Sequence, residues 1–143
     1  MTEVSFHFNA PDRFEYASRL LRKALRKGSK VAVAAPAATL SRLDRALWSF
    51  DPIEFIPHIV VHDAAQVCAR LMDTPVWLVE QPAAAPHRDV LVNLGEELPE
   101  GFESFLRVVE IVSTDEAERR AARVRWKHYV ARGYQVLKHE VTS

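Results

Sequence analysis

Two spacings of apolar residues organise this chain. At 4–8 the sequence VSFHF alternates, which puts Val4, Phe6 and Phe8 on one side of a strand. Residues 9–12, NAPD, with a polar residue at each end, are expected to turn the chain. Asp12 with Glu15 fits a helix-capping arrangement, and Phe14, Ala17, Leu21, Ala24 and Leu25 then recur at helical spacing, with Arg19, Arg22, Lys23 and Arg26 on other faces. Gly28 closes this helix. The run VAVAA at 31–35 has no polar side, as expected of a strand covered on both faces. Strand, helix and buried strand in that order predict an α/β layer fold.

The pattern repeats further along. Leu40, Leu43 and Leu47, at i, i+3 and i+7, predict a second helix that Trp48 and Phe50 close before Asp51-Pro52. In IEFIPH, 53–58, Pro52 and Pro57 exclude a helix, so the segment is either an edge strand with its apolar groups inside or a face offered to a partner. Residues 59–62 continue as a strand candidate, and 63–72 have weak helical spacing through Val67 and Leu71. Further strands are expected at VWLV (76–79), VLVNL (90–94), RVVEIV (107–112) and, at an edge, 134–138. Residues 81–86 form a surface loop and 95–101 a turn, and Phe102, Phe105 and Leu106 make a short helix on the sheet. The economical fold is α/β: a single domain over 1–143 with a mostly parallel central sheet and helices on both faces. Its layering is Rossmann-like without a phosphate-binding loop, because Gly28, Gly95, Gly101 and Gly133 all fall at element ends and build neither GxxxxGK nor GxGxxG.

The last long helix is expected within 113–134. Ser113 and Glu116 fit a capping box at its start and Gly133 a left-handed turn at its end. Ala117, Ala121, Val124 and Ala131 share one side, the expected core face. Arg120, Arg123 and Lys127 form a separate row, with Arg119 and Trp126 beside it and Tyr129 further round. From Arg119 to Arg132 there are six Lys or Arg and no acid, so pairing within that segment cannot neutralise the row. An acidic partner is implied, such as a peptide whose carboxylates meet Arg and Lys and whose apolar end meets an indole.

The totals bound this reading. Lys plus Arg and Asp plus Glu number 19 each, so the chain as a whole has no electrostatic pull toward nucleic acid, and any attraction is local. The one cysteine, Cys68, excludes an internal disulfide and leaves no cysteine-based metal site. No basic-apolar signal pattern opens the chain and no apolar run approaches the ~18 residues that span a bilayer, so a cytoplasmic location without membrane association is expected. The histidines show no HExxH or comparable pair; His58 and His62 are separated by extended IVV, which splays them. His87, Arg88 and Asp89 adjoin in a loop, the only triplet resembling a catalytic cluster. No cofactor or metal is expected.

Taken together, LDRALWSFDPIEFIPH (43–58), RDVLVNL (88–94) and ARVRWKHYVARGY (122–134) resemble the chi subunit family of bacterial DNA polymerase III. The joint pattern of LW, FIPH, DVLVNL and RxRWKxYxxxGY carries the resemblance, and the order of elements agrees over nearly the whole chain. Between His58 and Arg88 the match is poor in length and residues, as for variable loops. The resemblance implies a noncatalytic α/β subunit of the clamp-loader assembly, within a DNA-directed DNA polymerase (nucleotidyltransferase) holoenzyme serving replication and repair. It implies pairing with the psi subunit or a competing repair helicase, and capture of the acidic, apolar-ended carboxyl tail of single-stranded-DNA-binding protein, so that DNA is reached mainly indirectly. The family's tail-binding residues carry over onto Arg123, Trp126 and Lys127; Arg120 is added from its place in the same row. The psi or helicase face maps onto Trp48, Phe55, Ile56, Pro57 and His58, with Phe55 the anchor. The alternatives are a direct single-stranded nucleic-acid-binding domain using the same row, and an enzyme using His87 and Asp89.

Overall fold

The computed structural model describes residues 2–50, 57–61 and 74–141. Its frame is a seven-stranded sheet in the order β3-β4-β2-β5-β6-β1-β7, every neighbouring pair parallel. The strands are β1 (Glu3–Ala10), β2 (Val31–Ala34), β3 (His58–Val61), β4 (Val76–Val79), β5 (Val90–Asn93), β6 (Arg107–Ser113) and β7 (Val136–Glu140). Helices α1 (Arg13–Arg26) and α2 (Ala37–Phe50) cover one face and α3 (Glu116–Ala131) the other. The alternation of the strands divides the core accordingly. Val31 and Val33 of β2 enter the α1/α2 side with Leu21, Leu40, Leu43 and Leu47, whereas Ala32 and Ala34 enter the α3 side with Trp77, Phe102 and Tyr129.

The local signals act as the sequence leads one to expect at most ends. Asp12 caps α1 by accepting the N–H groups of Phe14 and Glu15, and Gly28 follows the helix with φ +77°. Val4 and Phe6 lie buried on one side of β1. The loop at 81–86 contains a 3-10 turn, Pro82–Ala84. A second 3-10 turn, Phe102–Ser104, buries Phe102 and delivers Phe105 to the core, but Leu106, expected on the sheet, points outward and is 68% exposed. Its backbone explains the reversal: Leu106 N–H donates to Arg88 O and Leu106 O accepts from Glu3 N–H, so residue 106 already lies in extended chain. The strand expected at 59–62 is β3, beginning at His58; the expectations for residues 53–56 and 63–72 fall outside the described residues.

Where β7 joins β1, His7 and His139 are register partners with ring centroids 5.1 Å apart, and His7 Nδ1 is hydrogen-bonded to the Tyr16 hydroxyl of α1. Burial, then the neighbouring His139 and Lys23, lowers the His7 pKa from 6.5 to about 4. The unfolded chain therefore binds a proton here that the folded chain refuses. The resulting contribution to stability is present above the unfolded pKa of 6.5 and is lost as pH falls toward about 4. Urea denaturation at about pH 7 and about pH 5 is expected to show a smaller acid-induced loss for His7→Gln than for the native chain; equal losses would assign the acid sensitivity to other groups.

Candidate functional site

Helix α3 leaves β6 through a short polar turn. Ser113 Oγ accepts the Asp115 N–H at 3.1 Å, and Asp115 is the N-cap, accepting the Glu118 N–H at 3.1 Å. The cap is thus two residues later than the expected Ser113, because Ser113 is still paired in the sheet, opposite Ala10. At the other end Tyr134 N–H reaches Tyr129 O and Gly133 N–H reaches Val130 O, with Gly133 at φ +86°, a Schellman ending that turns the chain back into β7.

The inward face of α3 is not the alanine and valine face. Ala122, Arg125 and Tyr129 are buried, while Ala117, Val124 and Ala131 are exposed and Ala121 is intermediate. The cause is Glu110, fully buried in the middle of β6. Its carboxylate accepts Arg125 Nε at 3.0 Å, Tyr129 Oη at 2.8 Å and Asn93 Nδ2 at 3.0 and 3.1 Å. A charge taken out of water must be paired and hydrogen-bonded, and only a rotation that turns Arg125 inward does this. Burial pushes the Glu110 carboxyl upward, and Arg125 with the Asn93 and Tyr129 donors pulls it back. Burial and the Glu110 charge push the Tyr129 hydroxyl upward as well, which keeps it a donor. The network extends outward: Arg125 Nη1 donates to Glu96 O and Asn93 Nδ2 to Glu97 O, tying down the loop after β5.

With Arg125 inside, the remaining cations are turned to solvent. The side chains of Arg120 and Arg123 are 75% and 61% exposed, and both lean toward the single carboxylate of Glu116, at 3.6 and 3.9 Å. Lys127 is exposed and has no ion pair among the described residues. Glu116 lies just outside the acid-free segment, so the ridge is relieved by one carboxylate but not neutralised. Trp126 is half-buried beside it, packed on the α3-side core, and Lys138 of β7 stands with Nζ 4.8 Å from the centre of its ring. The indole N–H is buried and has no acceptor among the described residues. Arg120, Arg123, Trp126 and Lys127 therefore share one surface, joined by Lys138, which sequence spacing could not assign because it comes from another element. Tyr129 is not part of this surface.

At the opposite sheet edge, Trp48 is 61% exposed and meets the His58 ring edge-on at 5.5 Å; His58 Nε2 bonds Asp44 Oδ1 at 2.8 Å. Pro57 is exposed, and Phe55 and Ile56 lie outside the described residues.

Elsewhere the chemistry is sparse. His87 and Asp89 are not paired: both His87 ring nitrogens lack partners among the described residues, and Asp89 Oδ2 accepts the Lys30 N–H at 3.4 Å. A cleft of about 540 Å³ opens at the carboxyl ends of β2, β5 and β6, rimmed by Glu80, Glu96, Glu97 and Glu100. Its two arginines are already engaged, Arg13 with Glu118 at 2.9 Å and Arg125 with Glu110. No group of three metal-ligating side chains occurs among the described residues.

Removing Arg125 would strand the Glu110 charge. Arg125→Met is expected to lose about 3–5 kcal/mol in urea denaturation, and adding Glu110→Leu to it is expected to recover part of the loss, since the unpaired charge is then gone. A single Arg125→Met variant within about 0.5 kcal/mol of the native chain would mean that the pair does not anchor α3.

Comparison with known proteins fits this architecture. The DNA polymerase III subunit chi of Pseudomonas aeruginosa is 36% identical over 99% of this chain and 98% of its own length. That of Haemophilus influenzae is 31% identical over 89% and 86%. Among solved structures, the C-terminal domain of the DEAD-box protein Dbp5 superposes with a TM-score of 0.58 at 14% identity, covering 98% of this chain and 90% of that one. A Saccharomyces cerevisiae Dbp5 complex gives 0.60 at 13% identity, over 99% of this chain and 42% of the other. At such identities the likeness is one of fold alone. The family model described as DNA polymerase III chi subunit, HolC, matches residues 1–137, and with the two chi relatives it shows that this chain belongs to the chi subunit family of DNA polymerase III.

Proposed function

We propose that this chi-family subunit is a noncatalytic adaptor that links the polymerase's clamp-loader assembly to the acidic carboxyl tail of single-stranded-DNA-binding protein, and that the outward face of α3 is where the tail docks. The observation that carries the reading is a row of exposed cations, Arg120, Arg123 and Lys127, set beside a half-buried Trp126, with only the first two sharing a carboxylate, that of Glu116. Arg and Lys supply charge-assisted donors for the tail's carboxylates, and Trp126 supplies the wall for its terminal apolar side chain. Because the ridge is solvent-exposed, each contact is worth little alone, and the sum is sensitive to salt.

The second face of the adaptor, toward psi or a repair helicase, is Trp48, Phe55, Ile56, Pro57 and His58. The Trp48 and His58 rings, in edge-on contact at the β3 edge with Trp48 61% exposed, favour this assignment, since aromatic groups at a surface are frequent anchors of protein partners.

Calorimetric titration of the full chain with an acidic peptide ending in Phe is expected to give a Kd of about micromolar that weakens as salt rises. Lys127→Glu is expected to weaken it by about tenfold or more with unchanged thermal stability, because Lys127 is exposed and has no ion pair among the described residues. Unchanged affinity would remove the ridge from the site. A bare single-stranded oligonucleotide that outcompetes the peptide would favour direct nucleic-acid binding instead.

A further inference from the structure

The docking surface has a neighbour whose main chain is unfinished. β7 is an edge strand of the sheet and, among the described residues, pairs only with β1. The phase of that pairing is fixed at its two ends, where Val4 N–H donates to Gln135 O and Val141 N–H donates to Phe8 O. In a parallel ladder both main-chain groups of a residue face the same side, and successive residues alternate. Gln135, Leu137, His139 and Val141 therefore face β1, and the N–H and C=O groups of Val136, Lys138 and Glu140 face away from the sheet. Nothing among the described residues covers them, and Leu137 to Glu140 are exposed. An uncovered strand edge of this kind is a template for pairing with another chain.

The free edge and the cationic ridge adjoin. Val136 packs on the same core as Trp126, and Lys138 covers the Trp126 ring. Resting on the docking reading above, we propose that the acidic segment is held there as an added strand, its main chain bonded to Val136, Lys138 and Glu140. Alternate side chains of such a strand fall on the α3 side, among Arg123, Trp126 and Lys138, and the others beside Leu137, which is 44% exposed. Charge selects the occupant: Lys138 stands on the edge strand over Trp126, and Arg123 and Lys127 are exposed on the helix that carries Trp126, against Glu140 alone on β7. A run of like-charged acids is already extended by self-repulsion, so it enters a strand with little further ordering, and main-chain bonds add affinity that does not depend on side-chain identity.

The test uses the full chain and three synthetic acidic peptides ending in Phe: one unmodified, and two with alternate backbone amides N-methylated, in one phase or the other. Side chains and charge are the same in all three. One phase is expected to bind about tenfold more weakly or worse and the other nearly as well as the unmodified peptide. The unmodified peptide is also expected to slow amide hydrogen exchange at Val136, Lys138 and Glu140. Equal affinities for both phases, or equal loss without slowed exchange at β7, overturn the added strand. If Lys127→Glu still abolishes binding in that case, docking on α3 stands without it. Absence of binding by the unmodified peptide overturns both.

Discussion

A carboxylate in the middle of the sheet sets the orientation of α3 and of the face proposed for docking. Glu110 sits where α3 crosses β6, and its three donors come from β5 and from two positions of α3. An α-helix turns by about 100° per residue, so a slip of one position would carry Arg125 out of reach and leave a bare charge in the core. The rotation of α3 is thereby fixed to a degree that apolar contacts between alanines would not achieve. What faces the solvent follows: with Arg125 and Tyr129 held inside, Arg120, Arg123 and Lys127 have only the outer side left.

The same network shows why α3 was the hardest helix to orient from sequence. For α1 and α2 the buried groups are apolar, Leu21, Leu40, Leu43 and Leu47, and spacing alone identifies their inward stripes. In α3 the apolar residues Ala117, Val124 and Ala131 lie outside, and a charged residue and a phenol lie inside. A periodicity argument ranks arginine as an outward residue and so selects the wrong face. The missing signal was in another element, the lone acid within RVVEIV at 107–112. An acid in a strand covered on both sides requires a buried cation, and Arg125, in the helix that follows, is the cation the fold provides. The cationic row is legible in the sequence because its members share a face whichever way the helix is turned, whereas Lys138 joins it only through the fold.

The sheet also separates the two faces proposed for partners. The Trp48 and His58 pair lies at β3 and the ridge at β7, the two ends of the strand order. With neighbouring strands ~4.8 Å apart, the two edges lie roughly 29 Å from each other before twist is considered. Partners bound at the two ends would not touch through this chain, which is the separation a coupling subunit needs if it is to hold a polymerase assembly and a DNA-coating protein together.

The charge distribution then decides what kind of contact the ridge can make. Overall neutrality leaves no long-range field to gather phosphates, and at physiological salt exposed charges are screened beyond about 8 Å. A polyanion passing at a distance feels little, and direct strand binding would require many simultaneous phosphate contacts that one helix row does not offer. A short acidic segment brought against α3 can engage Arg123, Lys127 and Trp126 within that range. The apolar terminus and the main-chain edge add contributions that salt does not remove. On the proposed reading, selection comes from the combination of a few cations, one indole and an open strand edge, a set that matches an extended acidic peptide more closely than it matches a nucleic acid backbone.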